Sequence, residues 1–341
     1  MCFRKSGGWA SARKRKGKHK MTTTEAELSG LTFGCELEYE GIGKEAAARV
    51  VARTVGGTAT YVGGYGYLDP WEVKMRDGRK WRIVYDGSLS GTSSETVTPI
   101  LTLADLPMLE SVVKALRHNG ARISSNTGLH IHVGMQDATP MQIKNLVRIF
   151  YKQEELILKA VGTRPERLGY YTKRTDKGFV ERICRIACPT MRNLNAAWYG
   201  SYTERASAHN DFRYRAMNLN NLWGGNAKHT VEFRFFEATT ISSILRADVL
   251  LALLIVLKAK SAKASSAKHQ RTYNAASAKY DLRVFLLRLG ANGPYFKEMR
   301  KILMKRMPGS AAWKDGRHDR PKAVLAAATP SATPTATAAN G

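Results

Sequence analysis

An α+β fold, with an antiparallel-rich sheet and helices packed on one side of it, is what this sequence predicts, and three observations predict it. Stretches that alternate with a period of two are interspersed with stretches of helical periodicity, in no regular strand–helix repeat. Two pairs of strand-like stretches are joined by short Gly-containing turns, as antiparallel neighbours are. The alternating stretches put hydrophobic side chains on one face and polar ones on the other, so only one face of the sheet has to be covered.

The elements follow in chain order. Thr32 to Glu40 reads as a strand, with Phe33, Cys35, Leu37 and Tyr39 on one side and Glu36, Glu38 and Glu40 on the other. Lys44 to Val55 is Ala/Val-rich and helical. Trp71 to Arg76 and Trp81 to Tyr85 flank the turn Asp77-Gly78, which suits a hairpin. Asp86 to Ser93 is a loop leading into a strand from Ser94 to Leu101. Helices are predicted over Leu103 to Asn119, closed by Gly120, and over Met141 to Val161, opened by Thr139 as cap and Pro140 at the first helical position. Between them lies "NTGLHIHVG", Asn126 to Gly134, a strand with Leu129, Ile131 and Val133 on one face and His130 and His132 on the other. "YRAMNLNNLW" and "HTVEFRFFEAT" read as a strand pair joined by Gly224 to Lys228. Helices close the fold at Ile241 to Ala264, Asp281 to Leu289 and Pro294 to Arg306, with "KAKSAKASSAKHQR" as a linker.

The flanks differ in composition. Residues 1–30 hold eight Lys/Arg against Glu25 and Glu27 and read as a basic disordered arm, in which Met21 is an alternative start. Residues 309–341 read as an Ala/Thr/Pro-rich flexible tail, leaving residues 31–308 as the folded unit. Net charge is +26, most of it outside the two flanks, so the body is itself basic and attracts polyanions, nucleotides and acidic substrates alike. The longest apolar run, Val249 to Leu257, is nine residues, too short for a membrane span of about 20, so no membrane partner is expected. No apolar signal core follows the basic start, and the expected location is the cytoplasm. Four cysteines with one C-x3-C pair make neither a structural zinc site nor a disulfide scaffold.

Glu36 and Glu38 share a strand face about 7 Å apart and repel by roughly 2 kcal/mol at an effective dielectric near 20, a sign that a divalent cation reverses. Alone, such a pair is the solvated face of an edge strand, and a lone H-x-H is two hydrogen-bonded histidines. Glu232 and Arg234 in "TVEFRFFEAT" share a face with Phe236, opposite Val231, Phe233 and Phe235, and alone are a surface pair worth under about 1 kcal/mol. Together the three strands describe one sheet lining a cleft. Glutamates with an imidazole suit Mg2+ or Mn2+, and an arginine adds a planar fork for phosphate oxygens. Carboxylates, divalent ions and arginine point to phosphoryl transfer from a nucleotide. The glycines of "YVGGYGYLDPW" do not follow a phosphate-binding spacing, and the segment reads as a lip over the cleft.

"FGCELEYEG", "DGSL…SSETVTPIL", "NTGLHIHVG" and "HTVEFRFFEAT", in this order from Phe33 to Thr239, resemble the amidoligase family of carboxylate–amine ligases, which is similar to glutamine synthetase and the glutamate–cysteine ligases. The resemblance implies a curved antiparallel sheet forming a funnel, as in the glutamine synthetase catalytic domain, with ATP and substrate entering from opposite ends around Mg2+ or Mn2+. It implies metal ligation by Glu36, Glu38, His130, Glu232 and, less directly aligned, Glu95. His132 and Arg234 would contact the nucleotide phosphates and the transferred phosphate, and Asn126 to Gly128 would form a turn beside the acceptor carboxylate. The implied reaction is ATP-dependent amide formation through an acyl phosphate, between a carboxylate acceptor and an amine donor that is a peptide or a small molecule. Two other readings fit the charge and the polar face: a polyanion- or nucleic-acid-binding protein on a ligase-derived scaffold, with weak binding through the basic arm, and a metal-dependent hydrolase.

Overall fold

The computed structural model describes residues 22–64, 69–85, 87, 92–204, 210–223, 228–264 and 269–314. The basic run Arg13–Lys20, most of the Asp86–Ser93 loop, nearly all of the Gly224–Lys228 turn, the centres of the lip and the linker, and nearly all of the Ala/Thr/Pro tail lie outside the described residues.

Among the described residues, nine strands form one open antiparallel sheet. They are β1 (Thr32–Glu40), β2 (Thr58–Tyr61), β3 (Trp71–Lys74), β4 (Lys80–Val84), β5 (Ser93–Val97), β6 (Leu101–Thr102), β7 (Gly128–Gly134), β8 (Met217–Asn218) and β9 (Thr230–Glu237). Their spatial order is β2-β3-β4-β5-β1-β7-β9-β8, with β6 beside the start of β1. The motif strands β5, β1, β7 and β9 are therefore consecutive neighbours at the middle of the sheet. Alternation in β1 is as the sequence predicts: Phe33, Cys35, Leu37 and Tyr39 are buried in the core. The strand expected over Ser94 to Leu101 is split in two. Thr98 turns its hydroxyl to the Cys35 amide at 2.9 Å, and Pro99 has no amide to continue the ladder.

Helices cover the apolar face: α2 (Lys44–Val55), α3 (Leu106–His118), α4 (Pro140–Val161) and α8 (Ser242–Ser261), with α9 (Ala278–Arg288) and α10 (Lys297–Lys305) behind them. α4 starts where Thr139 and Gln142 cap each other reciprocally and ends at Gly162, whose φ is +78°. α8 is apolar on nearly every side because it packs against α3, α4, α10 and β7 together.

Several elements were not legible. Thr23–Ser29, assigned to the arm, is a helix, α1, capped by Thr22 and Glu25 and anchored by the fully buried Leu28. α5 (Pro165–Gly169), α6 (Lys177–Arg185) and α7 (Met191–Tyr199) fill the stretch before β8. The strand expected over "YRAMNLNNLW" shrinks to Met217–Asn218, because the Asn218 side chain accepts the Asn220 amide and starts a tight 3-10 turn.

Candidate metal and nucleotide site

The register of the sheet builds the site. On β1, Glu38 lies directly opposite Glu95 of β5, and Glu36 directly opposite His130 of β7. One pair along, His132 lies opposite Glu232 of β9, and Glu232 opposite Asn218 of β8. Residues paired in this way project to the same face, so one row of polar side chains crosses five strands.

Between β7 and β9 the ladder slips by one residue. Ile131 pairs with Phe233 but Leu129 pairs with Phe236, leaving Arg234 and Phe235 together opposite His130. This is a β-bulge. It corrects the expected alternation: Phe236 joins Phe233 and Phe235 in the core, where Phe235 stacks on Phe150 of α4 at 5.5 Å. It also brings Glu237, paired with Gly128, round to the polar face.

The side chains form one connected cluster. Glu36 binds both imidazoles, with its Oε2 3.0 Å from His130 Nδ1 and its Oε1 3.1 Å from His132 Nε2. His130 lies 3.6 Å from Glu38 and 3.8 Å from Glu232. Arg234 donates through Nη1 to Glu232 Oε1, and Asn218 donates to Oε2 of the same carboxylate at 2.7 Å. Burial pushes the Glu36 carboxyl up, but the charges and hydrogen bonds of His132 and His130 outweigh it and hold the group well below the usual carboxylate range. For Glu232 the opposing contributions are burial upward and Arg234 and His132 downward, and the downward ones win. Burial would lower the His132 imidazole, yet Glu36 and Glu232 keep it above its ordinary value. Both carboxylates are thus ionised donors at neutral pH.

Ligand atoms of Glu36, His130 and Glu232 all lie within 4.8 Å of one another, close enough to converge on one ion. Two carboxylate oxygens and one imidazole nitrogen are a donor set suited to Mn2+ or Mg2+. Glu38 and Glu95 stand beside this trio on the β5 side.

The other expected residues flank the cluster. Asn126 is exposed in a turn held by Ser124 and Thr127, and the Gly128 amide donates to Glu38 Oε2 at 2.6 Å. At the opposite end, beside His132, a cavity of about 290 Å³ opens among Gly34, Val97, Thr98, Pro99, Ile100 and Lys228. No sequence pattern pointed to Lys228.

Arg167 on α5 was also missed. Its guanidinium lies over Gly128, where an added Cβ would come within 2.5 Å of Nη2. It donates to the carbonyls of Thr127 at 2.9 Å and Arg234 at 3.1 Å, and Glu237 lies 3.8 Å from its Nε. Glu237 closes the same end by binding Arg164 at 2.6 Å. The phenylalanine doublet before Glu237 was the one available signal, since it breaks the alternation there.

Fold and site together define an α+β protein whose open antiparallel sheet carries a buried carboxylate–imidazole cluster able to hold a divalent cation. The chain belongs to the amidoligase family: the family model described as "Putative amidoligase enzyme" matches residues 29–256. Among solved structures, the chain is similar to that of the complex between the prokaryotic ubiquitin-like protein Pup and its ligase PafA, at 12% identity and a TM-score of 0.31. The match covers 82% of this chain and 63% of that one. No curated protein sequence matches the chain. Among the described residues, no helix is long and apolar enough to cross a membrane.

Proposed function

We propose that this chain is an ATP-dependent carboxylate–amine ligase. The observation that carries the reading is the convergence of Glu36, His130 and Glu232 on the same polar face as Arg234, beside a cavity. Glu36, His130 and Glu232 would hold a divalent cation, Mg2+ or Mn2+, with Glu38 and Glu95 adjacent for a second. Bound there, the metal supplies neutralisation of phosphate charge.

The chain's own residues divide the remaining work. The apolar rim of Val97, Pro99 and Ile100 gives a nucleotide base a surface to lie on, and Lys228 and His132 face its phosphates. Arg234 offers its guanidinium to the phosphoryl group in transfer. The turn from Asn126 to Gly128 receives the acceptor at the other end. The acceptor carboxylate oxygen attacks the γ-phosphorus, the bond to the β-phosphate oxygen breaks, and ADP leaves. An amine then attacks the acyl carbon, the carbon–oxygen bond to phosphate breaks, and phosphate departs while the amine loses a proton. A buried site keeps water from the acyl phosphate. The arrangement also supports a funnel-like sheet of the glutamine synthetase kind, as the catalytic unit of residues 31–308, to which α1 adds its packing. The basic arm and the tail would lie outside that unit.

Calorimetry tests the reading. ATP binding in the presence of Mg2+ or Mn2+ is expected for the wild type and lost in Glu36→Ala. Absence of nucleotide binding under either metal would overturn the ligase reading.

A further inference from the structure

We propose that Arg167 is a positioning residue for the phosphoryl-facing arginine, Arg234; the catalytic part of this proposal rests on the ligase reading above. At the bulge β7 and β9 lose their regular pairing, and a buried carbonyl without a partner is costly. Arg167 supplies the Arg234 carbonyl in the bulge with a donor. One guanidinium takes the Arg234 carbonyl at the bulge and, through its other terminal nitrogen, the Thr127 carbonyl just before β7 begins.

Three further contacts make Arg167 a built-in brace. It is only 7% exposed, its carbonyl accepts both the amide and the hydroxyl of Thr172, and its amide is fixed by the Arg164 carbonyl at 3.2 Å. Gly128 is the residue over which it lies, and any side chain there would collide with the guanidinium. Through the Gly128 amide, the same brace sets the distance from β7 to Glu38. The Arg234 backbone is held on its other side by its amide donating to the Ala216 carbonyl at 2.9 Å. With both backbone groups of Arg234 pinned, its side chain is directed at Glu232. Its Nε is buried without a hydrogen-bond partner among the described residues, so it reports directly on local geometry.

The experiment uses the full chain with ¹⁵N-labelled arginine, in the wild type, Arg167→Lys and Arg167→Met, with the Arg234 Nε–H resonance assigned through Arg234→Lys. The expected result is a displaced or broadened Arg234 resonance in Arg167→Met and a smaller displacement in Arg167→Lys, since an ammonium reaches one carbonyl well but not both. In steady-state kinetics the same series is expected to lose kcat by roughly tenfold to hundredfold in the Met variant, with partial rescue by Lys and an unchanged nucleotide KM. An Arg234 resonance and a kcat both unaltered in either variant would overturn the proposal, whatever the melting temperature does. If Arg167→Met does not fold, Arg167→Lys decides alone by the same two readouts. A wild type that turns over no nucleotide removes the ligase reading, while the resonance still decides whether Arg167 positions Arg234.

Discussion

Glu38 and Glu95 face each other directly across β1 and β5, two carboxylates in a cross-strand pair where like charges oppose the sheet. Direct opposition of like charges is a cost to a sheet. A divalent cation on this face relieves it and stabilises the protein by mass action, by about 2.7 kcal/mol at a hundredfold excess over Kd. Mn2+ or Mg2+ is therefore expected to raise the melting temperature of the wild type. Glu95→Gln should gain less from the metal than the wild type does. Equal gains in both proteins would remove Glu95 from the metal site.

Arg234→Lys replaces a planar fork by a point charge. Its expected signature is a fall in kcat of about 10² to 10³, or roughly 2.7–4 kcal/mol, with nucleotide binding retained. Single-turnover phosphate release beside calorimetry separates the two quantities. Loss of binding without loss of kcat would place Arg234 in recognition only.

Asp248 on α8 is buried, and its Oδ1 has no hydrogen-bond partner among the described residues. Burial raises its carboxyl well above the usual range, and the charge of Arg306 offsets this only in part. The folded state thus binds a proton that the unfolded state releases above the ordinary Asp value of about 3.9. This group's contribution is fully present below that pH and declines as pH rises toward the folded value. Asp248→Asn, which carries no charge, should show a shallower decline in urea-unfolding stability between mildly acidic and neutral pH. Parallel curves for the two proteins would refute this account.

Gly41 follows β1 with φ of +87°, and a Cβ there would come within 2.5 Å of the Gly120 carbonyl. Gly41→Ala is expected to lose at least about 1 kcal/mol from the left-handed backbone alone. Thermal unfolding measures it, and an unchanged midpoint would show that the turn can rearrange.

The motif strands were legible in the sequence because their chemistry has a period of two. Phe33 to Glu40 and Leu129 to Val133 each declare a core face and a polar face, and the cluster of Glu36, His130 and Glu232 follows once those faces adjoin. What the sequence did not show was set by single contacts. Phe236 lies in the core only because β9 gains a residue opposite His130. Arg167 comes from a five-residue helix with no amphipathic pattern, and Leu219 to Trp223 leave the strand because one asparagine side chain competes with the ladder. Such contacts join residues distant in sequence or compete locally with a ladder, and no periodicity records them.

The extra residue in β9 has a consequence for anyone transplanting or redesigning this motif. An E-x-R segment grafted onto a regular strand would carry Glu232 and Arg234 correctly but would turn the equivalent of Glu237 toward the core, stranding a charge and releasing both arginines it holds. The smallest portable unit is therefore the bulged strand together with Gly128 and the helix that supplies Arg167, a three-part cassette whose pieces lie far apart in the chain.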